Sequence, residues 1–560
     1  MRDDELSFIT RLSLFVPRAV RDVWLIWFAL SVLTTLPYVL AELRTPPGQF
    51  FSGVLTAYDD TFTYFAWMRQ GSDGHLLMCD PFTSEPQRCE FFLPLWSLLG
   101  FISQVTHISL PITFHASRLL AALALLIVAR GVASTVIRSK KQMRICLWLY
   151  AVSGGFGWLV YAVNNRGGLF GGGETSGSAD LNLPEAIAFR SLFSQVHFSV
   201  GVVLVGGAIL LVFRSMVEKK ANRGLIAGLL VSLLAVVHPY MIFVVCAVAS
   251  VAFLALPWLE PKSRSGAYYS SARAILAFGL GTLPGVAYAG YLNRSNEVLR
   301  EWLRVTDTFS PPPWEYALGF GIVGAFAVVG FRLMWNRNAP YGRLLLIWAV
   351  VQSLMLYAPF SIQRRFVEGL QLPLAIAASV ALFWFARKAF KGPAAARNRM
   401  VFVICAVFFA AVTNIGFAIG QMVPRAPELV DPRRYLDADL IAALSWLRSN
   451  SEPDAVLFSS YLTGNVAPSM TGLRVFLGHY AQTLRSDQKG VQVTSFYSNA
   501  MTDETATKLF EEHQVRYVIY GPFERKLSST FAPPVWMTLV HSAGDVSVFE
   551  VSKVGRSMFP

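Results

Sequence analysis

Two adjacent carboxylates open the run Tyr58-Asp59-Asp60-Thr61-Phe62-Thr63-Tyr64-Phe65-Ala66-Trp67-Met68-Arg69-Gln70. Carboxylates placed just beyond an apolar run could supply a general base or hold a divalent cation such as Mg or Mn. On a helix the pair would point about 100° apart, with Asp60, Tyr64 and Trp67 on one face. The plainer reading is a solvated loop or a helix N-cap, which Asp fills well. For an isolated Asp pair that reading is preferred.

A second constellation is Ser361-Ile362-Gln363-Arg364-Arg365-Phe366-Val367-Glu368-Gly369. Arginine offers paired donors in a planar fork and suits phosphate. Arg364 and Arg365 run against the charge pattern of the rest of the chain, and Glu368 is near enough in sequence to position one of them. Snorkelling to ordinary headgroups is the competing reading; the phosphate reading is preferred. His197 and His238 fall near span ends and could touch substrate, although each alone reads as structural. Asp73, Asp80 and Asp307 are further acids with weaker context. The Gly-rich stretch Gly167 to Gly177 has no Lys-Ser/Thr after it and no strand before it, so it is not a phosphate loop but a flexible one. Cys146, Cys246 and Cys405 lie in or beside apolar runs and read as packing residues. Cys79 and Cys89 share one polar segment, and a disulfide between them is expected if that face is oxidising.

The elements that must position these residues follow from composition. Of 560 residues 54% are hydrophobic and only 15% charged, against about 25% charged in soluble domains. Lipid must cover much of the chain. The formal charge of +13 comes from short basic clusters between apolar runs, which is a topology signal rather than a nucleic-acid surface; no nucleic-acid partner is expected. The first run, Val23 to Leu40, lacks a cleavage pattern and reads as an anchor rather than a signal peptide.

Spans are predicted at about 23–42, 114–136, 145–163, 196–213, 274–292, 314–332, 344–360, 370–387 and 400–420, with two short ones within 224–259 meeting at His238-Pro239-Tyr240. Proline there removes a helix hydrogen bond. This makes about 11 spans. Arg2, Arg11, Arg18 and Arg21, then Arg138 to Arg144, Arg214 to Arg223, Lys262 to Arg273, Arg332 to Arg343 and Arg387 to Arg399 all fall on one side. That side is cytoplasmic by the positive-inside rule, with the N-terminus. The first outer loop is then 43–112, and 421–560 lies outside.

The last segment changes character. Asp437 to Arg448 and Asp503 to His513 read as helices. Ala455 to Ser460, Arg474 to Leu477 and Val515 to Tyr520 read as strands, and Met537 to Val540 with Val546 to Val551 as a hairpin. The expected fold is mainly α: a polytopic transmembrane helical bundle, 1–420, with a C-terminal soluble α/β domain, 421–560.

One span, a large outer loop opening on Asp59-Asp60, the aromatic continuation Tyr64 to Trp67, about ten further spans and an outer α/β domain occur here in that order. In this arrangement the chain resembles the GT-C superfamily of membrane glycosyltransferases, which use polyprenyl-phosphate-linked sugars. The stretches Trp446-Leu447-Arg448 and Thr471 to His479 also look like those of members of that superfamily. No oligosaccharyltransferase-type Trp-Trp-Asp motif occurs in the C-terminal domain, which speaks against sequon recognition. The resemblance implies a catalytic base or metal ligand at Asp59 or Asp60, with neither ranked first. It implies inverting transfer of a sugar from a polyprenyl phosphate to a hydroxyl of a glycan, lipid or protein acceptor, at the outer face of a bacterial plasma membrane. Arg364 and Arg365 would take the leaving phosphate, and Tyr64, His197, His238 and Glu368 complete the candidate substrate-binding set. Base and phosphate clamp should lie on the order of 10 Å apart across a sugar ring. Two other classes are a lipid or sugar transporter or flippase, whose acids should lie mid-membrane, and a non-catalytic membrane assembly subunit, which needs no cavity joining the two constellations.

Overall fold

The computed structural model describes residues 21–164, 177–259, 264–336 and 340–551. Arg2, Arg11, Arg18, Gly167 to Gly173, Lys262 and Arg337 lie outside the described residues. Each of the eleven apolar runs forms helix, and eight of the resulting segments are long and apolar enough to cross a membrane: Arg21–Leu43, Leu110–Ala133, Lys140–Val163, Val196–Val217, Ser271–Ser295, Pro313–Asn336, Gln363–Ala389 and Ala395–Met422. The other three are the short helices Ala221–Leu234, Met241–Leu259 and Pro340–Met355. The chain is a multi-pass membrane protein. Leu25, Phe28, Leu276, Leu280, Leu283 and Phe408 point outward from these helices, as lipid-facing side chains must in helices that are apolar on most sides.

Two compact units divide the chain: 1–37 with 116–287 and 308–424, and 38–115 with 288–307 and 425–560. In the first unit, small residues let helices approach backbone to backbone. A Cβ on Gly330 would fall 1.9 Å from the Ala377 carbonyl, and one on Gly224 2.2 Å from that of Ala274. The break expected at His238-Pro239 separates Ala221–Leu234 from Met241–Leu259. The third span is also interrupted, at Ser153 to Phe156. There the buried Asp180 carboxylate accepts the Gly155 and Gly157 N–H groups, at 2.7 and 3.2 Å, and so satisfies donors of the restarted helix.

The second unit is built on a five-stranded sheet of order Arg474–Val475, Val456–Phe458, Val515–Tyr520, Val546–Val551, Met537–Ala543. The first three strands are parallel, and Val546–Val551 runs antiparallel to both of its neighbours. The core of this sheet and its helices is rich in aromatics: Phe458, Phe476, Phe496, Tyr497 and Phe510. The polar segment after the first span belongs to the same unit. Its strand Gln49–Phe51 pairs antiparallel with Tyr435–Asp437. Its helices Tyr58–Ser72 and Pro94–Thr106 cross where a Cβ on Gly100 would fall 2.1 Å from the Met68 carbonyl. Between them, Leu77–Met78 pairs with Phe91–Phe92, and Cys79 is joined to Cys89 in a disulfide with a Cα separation of 4.3 Å.

Candidate functional site

Asp59 and Asp60 occupy the first turn of the helix Tyr58–Ser72, which Ala57 starts from a left-handed backbone conformation, φ 51°. Carboxylates are favoured there because the exposed N–H groups carry partial positive charge. The two side chains then diverge in fate.

Asp59 is engaged. Its Oδ1 accepts from Arg433 Nη1 at 2.8 Å and from the Tyr461 hydroxyl at 2.6 Å. Arg433 is buried and donates further to Asp431 Oδ1 and Oδ2, at 3.0 and 2.7 Å, and to Asn465 Oδ1 at 2.8 Å. Burial works against its charge, but hydrogen bonds to Asp431 and Asp59 more than offset this and hold its pKa above the usual arginine value. Burial, then the neighbouring Asp59 charge, pushes the Tyr461 hydroxyl up. Next to this network Arg434 Nε donates to the Tyr58 hydroxyl at 3.1 Å.

Asp60 is the accessible one, its side chain 48% exposed, with Oδ1 3.8 Å from Nε2 of the buried His479. On the same helix Tyr64 stacks on Trp96 at 4.5 Å and tilts against Trp67 at 5.8 Å, so it is part of an aromatic cluster. Asp73 pairs with Arg448, 2.9 Å from Nη1 to Oδ2. Asp80 is buried, and burial raises its pKa to about 7 even though its Oδ1 accepts the Phe82 N–H at 2.9 Å. Nearby, the buried Lys489 Nζ donates to Ser84 Oγ and Glu85 Oε2, at 3.1 and 2.8 Å, while Ser84 Oγ also meets His513 Nδ1 at 2.8 Å. Among the described residues no group of three or more His, Cys, Asp or Glu gathers as a metal site would require.

The second constellation belongs to the first unit. Arg364 and Arg365 stand in a tight 3-10 turn, Gln363–Val367. Buried Gln352 braces the turn, donating to the carbonyls of Phe366 and Glu368 at 2.7 Å each. The acid within ion-pair distance of both arginines is the buried Glu185, whose Oε1 is 3.4 Å from Arg364 Nε and 3.6 Å from Arg365 Nη1. Glu368, fully buried, instead has Oε2 2.6 Å from His238 Nδ1. His197 lies edge-on to His238, ring centroids 4.8 Å apart. Glu185, Ser191, Ser199, Gln371 and Tyr150 line a small pocket here. The residues this turn brings together are thus Arg364 with Arg365 and Glu185, and Glu368 with His238 and His197.

No protein-family model matches the sequence, and no curated protein matches it as a relative. Solved structures do match in fold. Archaeal oligosaccharyltransferase AglB from Archaeoglobus fulgidus, in complex with an inhibitory peptide and a dolichol-phosphate, superposes with a TM-score of 0.53 at 13% identity, over 89% of this chain and 69% of that one. ArnT from Cupriavidus metallidurans in the apo state gives 0.50 at 10% identity, over 94% and 98% of the two chains. The arabinofuranosyltransferase AftD from Mycobacteria gives 0.53 at 13% identity, over 93% of this chain and 40% of that one. The chain shares the fold of these three proteins.

Within this fold several residues carry little sequence signal of their role. Arg433 and Tyr461 reach the Asp59 carboxylate from far down the chain, with Asn465 behind Arg433, and Glu185 reaches the arginines from far upstream. One signal could have found the first: Arg433-Arg434, like Arg364-Arg365, is a double arginine on the side predicted to be poor in basic residues. Nothing local marked Glu185, and His479 was marked only as the end of the stretch Thr471 to His479.

Proposed function

We propose that this protein is an inverting membrane glycosyltransferase that moves a sugar from a polyprenyl phosphate to an acceptor hydroxyl. The single observation that carries the assignment of roles is the contrast within the acidic pair. Asp59 is held by Arg433 and Tyr461, while the neighbouring Asp60 is half exposed. Asp60 takes the proton of the acceptor hydroxyl. The acceptor oxygen attacks the anomeric carbon, and the bond from that carbon to the phosphate oxygen breaks. The electron pair leaves with the lipid phosphate, whose charge Arg364 and Arg365 offset. Asp59 and Arg433 hold the helix start in place. The GT-C fold supports the reaction class, and the dolichol-phosphate in the AglB complex supports a polyprenyl phosphate as the donor's lipid. The acceptor is a hydroxyl of a glycan, lipid or protein.

The same reading puts the N-terminus in the cytoplasm of a bacterial cell and residues 421–560 outside its plasma membrane, with 1–420, including the loop 43–112, as the catalytic part.

The test uses protein in lipid nanodiscs and undecaprenyl phosphate as the probe. R364A and R365A should each weaken its binding roughly 10-fold or more, as loss of a charge-assisted contact does, while D60N binds it within about twofold. Equal binding by parent and both arginine variants would contradict the phosphate role of the turn.

A further inference from the structure

We infer that His479 is a positioning residue that orients the Asp60 carboxylate by donating its Nε2–H, an inference that rests on Asp60 being the base. Three observations point to it.

First, the imidazole is fixed. His479 is buried, its carbonyl accepts the Thr483 N–H at 2.8 Å, and its own N–H donates to Thr483 Oγ1 at 3.1 Å. Thr483 Oγ1 in turn donates to the Phe82 carbonyl at 2.7 Å, so the ring is anchored to the same polar segment that carries Asp60. Phe82 and Tyr480 pack against the ring, at 5.8 and 4.9 Å between centroids.

Second, the tautomer is determined by the backbone. Nδ1 accepts the N–H groups of Ala481 and Gln482, at 3.1 and 3.2 Å. A ring nitrogen that accepts carries no proton in neutral imidazole, so the hydrogen sits on Nε2.

Third, that Nε2–H is buried without a hydrogen-bond partner among the described residues and faces Asp60 Oδ1 at 3.8 Å. A buried donor left unpaired costs free energy, and 3.8 Å is beyond hydrogen-bond range. Rotation of the half-exposed Asp60 carboxylate about its Cβ–Cγ bond moves an oxygen by about 1 Å, which closes the gap because that torsion is soft. Closing it fixes one carboxylate oxygen on His479 and aims the other outward at the acceptor. The C-terminal domain thereby completes the geometry of a base carried by the first loop, through a residue that touches no substrate.

Two variants separate this role from a merely structural one. In H479Q the amide N–H can reach toward Asp60 but the Nδ1 acceptor is lost. In H479N an acceptor stays near the Ala481 and Gln482 N–H groups but no donor reaches Asp60. Release of undecaprenyl phosphate from a panel of undecaprenyl-phosphate hexoses and pentoses is followed in proteoliposomes. H479N should lower kcat roughly 10–100-fold, the usual cost of losing a supporting hydrogen bond, with donor KM within about twofold, and H479Q should recover most of it. The reverse order overturns the inference, because it is what backbone support alone would give. A second arm needs no substrate. Solid-state spectra of 15N-histidine-labelled protein, with H479Q assigning the signal, should show His479 protonated on Nε2, and D60N should move that N–H resonance. A proton on Nδ1, or an Nε2 signal indifferent to D60N, also overturns it. If D60N itself turns over donor normally, the underlying assignment of the base fails instead, whatever the His479 spectra show.

Discussion

Arg433→Ala removes the cation around which the start of the first-loop helix is organised. Arg433 gives one bond to Asp59, two to Asp431 and one to Asn465. Its loss leaves two carboxylates facing a space that no cation fills. Breaking a fully buried ion pair from one side costs about 3–5 kcal/mol. The Asp59 and Asp431 side chains retain 31% and 24% exposure, so water rehydrates them in part, and a discounted cost of about 2–3 kcal/mol is expected. For a unit of this size that is a fall of roughly 5–10 °C in apparent Tm, read by intrinsic fluorescence in detergent at low salt. R433K keeps the charge but not the planar fork, and should recover about half of the loss. An R433A variant within about 1 °C of the parent would refute the reasoning, since the carboxylates would then not depend on Arg433 at all.

Three further outcomes follow from other parts of the molecule. Replacing both Cys79 and Cys89 by Ser opens a short closed loop and should cost about 2–3 kcal/mol; peptide mapping that finds the two thiols free in the mature protein would remove the basis for this. Asp80 has its pKa raised by burial to about 7, so its contribution is fully favourable below the unfolded carboxylate range and is lost as pH rises toward 7; D80N should therefore match the parent near pH 4 and be the more stable at pH 8, and equal Tm differences at both pH values would contradict this. A Cβ on Gly201 would fall 2.1 Å from Glu368 Oε1 and 2.9 Å from His238 Nδ1, so G201A should force that pair apart and destabilise the protein by roughly 1–3 kcal/mol; an unchanged Tm would show that the pair has room to move.

The helices of the first unit were legible because lipid imposes long apolar runs with few charges, a signal carried by each segment alone. The strands Val515–Tyr520 and Val546–Val551 were legible for a similar reason, β-branched and aromatic residues in short runs. The helices Tyr461–Thr471 and Ser486–Tyr497 were not. Both carry Gly, Thr and β-branched residues that favour other conformations, and both are stabilised by tertiary packing rather than by propensity. At the site, the sequence offered two carboxylates and two arginines but not their partners. Asp59 and Asp60 looked equivalent; Arg433, Tyr461 and His479, all distant in sequence, distinguish them. Glu368 looked like the natural partner of an arginine by proximity. It leaves the turn with an extended backbone, φ −57° and ψ 123°, and pairs with His238, while Glu185 lies beside both guanidinium groups. Such pairings are set by tertiary packing, which no local spacing records.

The claim that Asp60, and not Asp59, removes the acceptor proton is tested most directly by comparing D60N and D59N for turnover of undecaprenyl-phosphate sugars in proteoliposomes, with undecaprenyl phosphate binding measured on the same samples. Loss of a general base lowers the rate by about 10²–10⁴-fold. D60N should fall by that amount with binding retained, while D59N should keep measurable turnover and lose mainly stability. A D60N enzyme that turns over its donor at the parental rate would contradict the account.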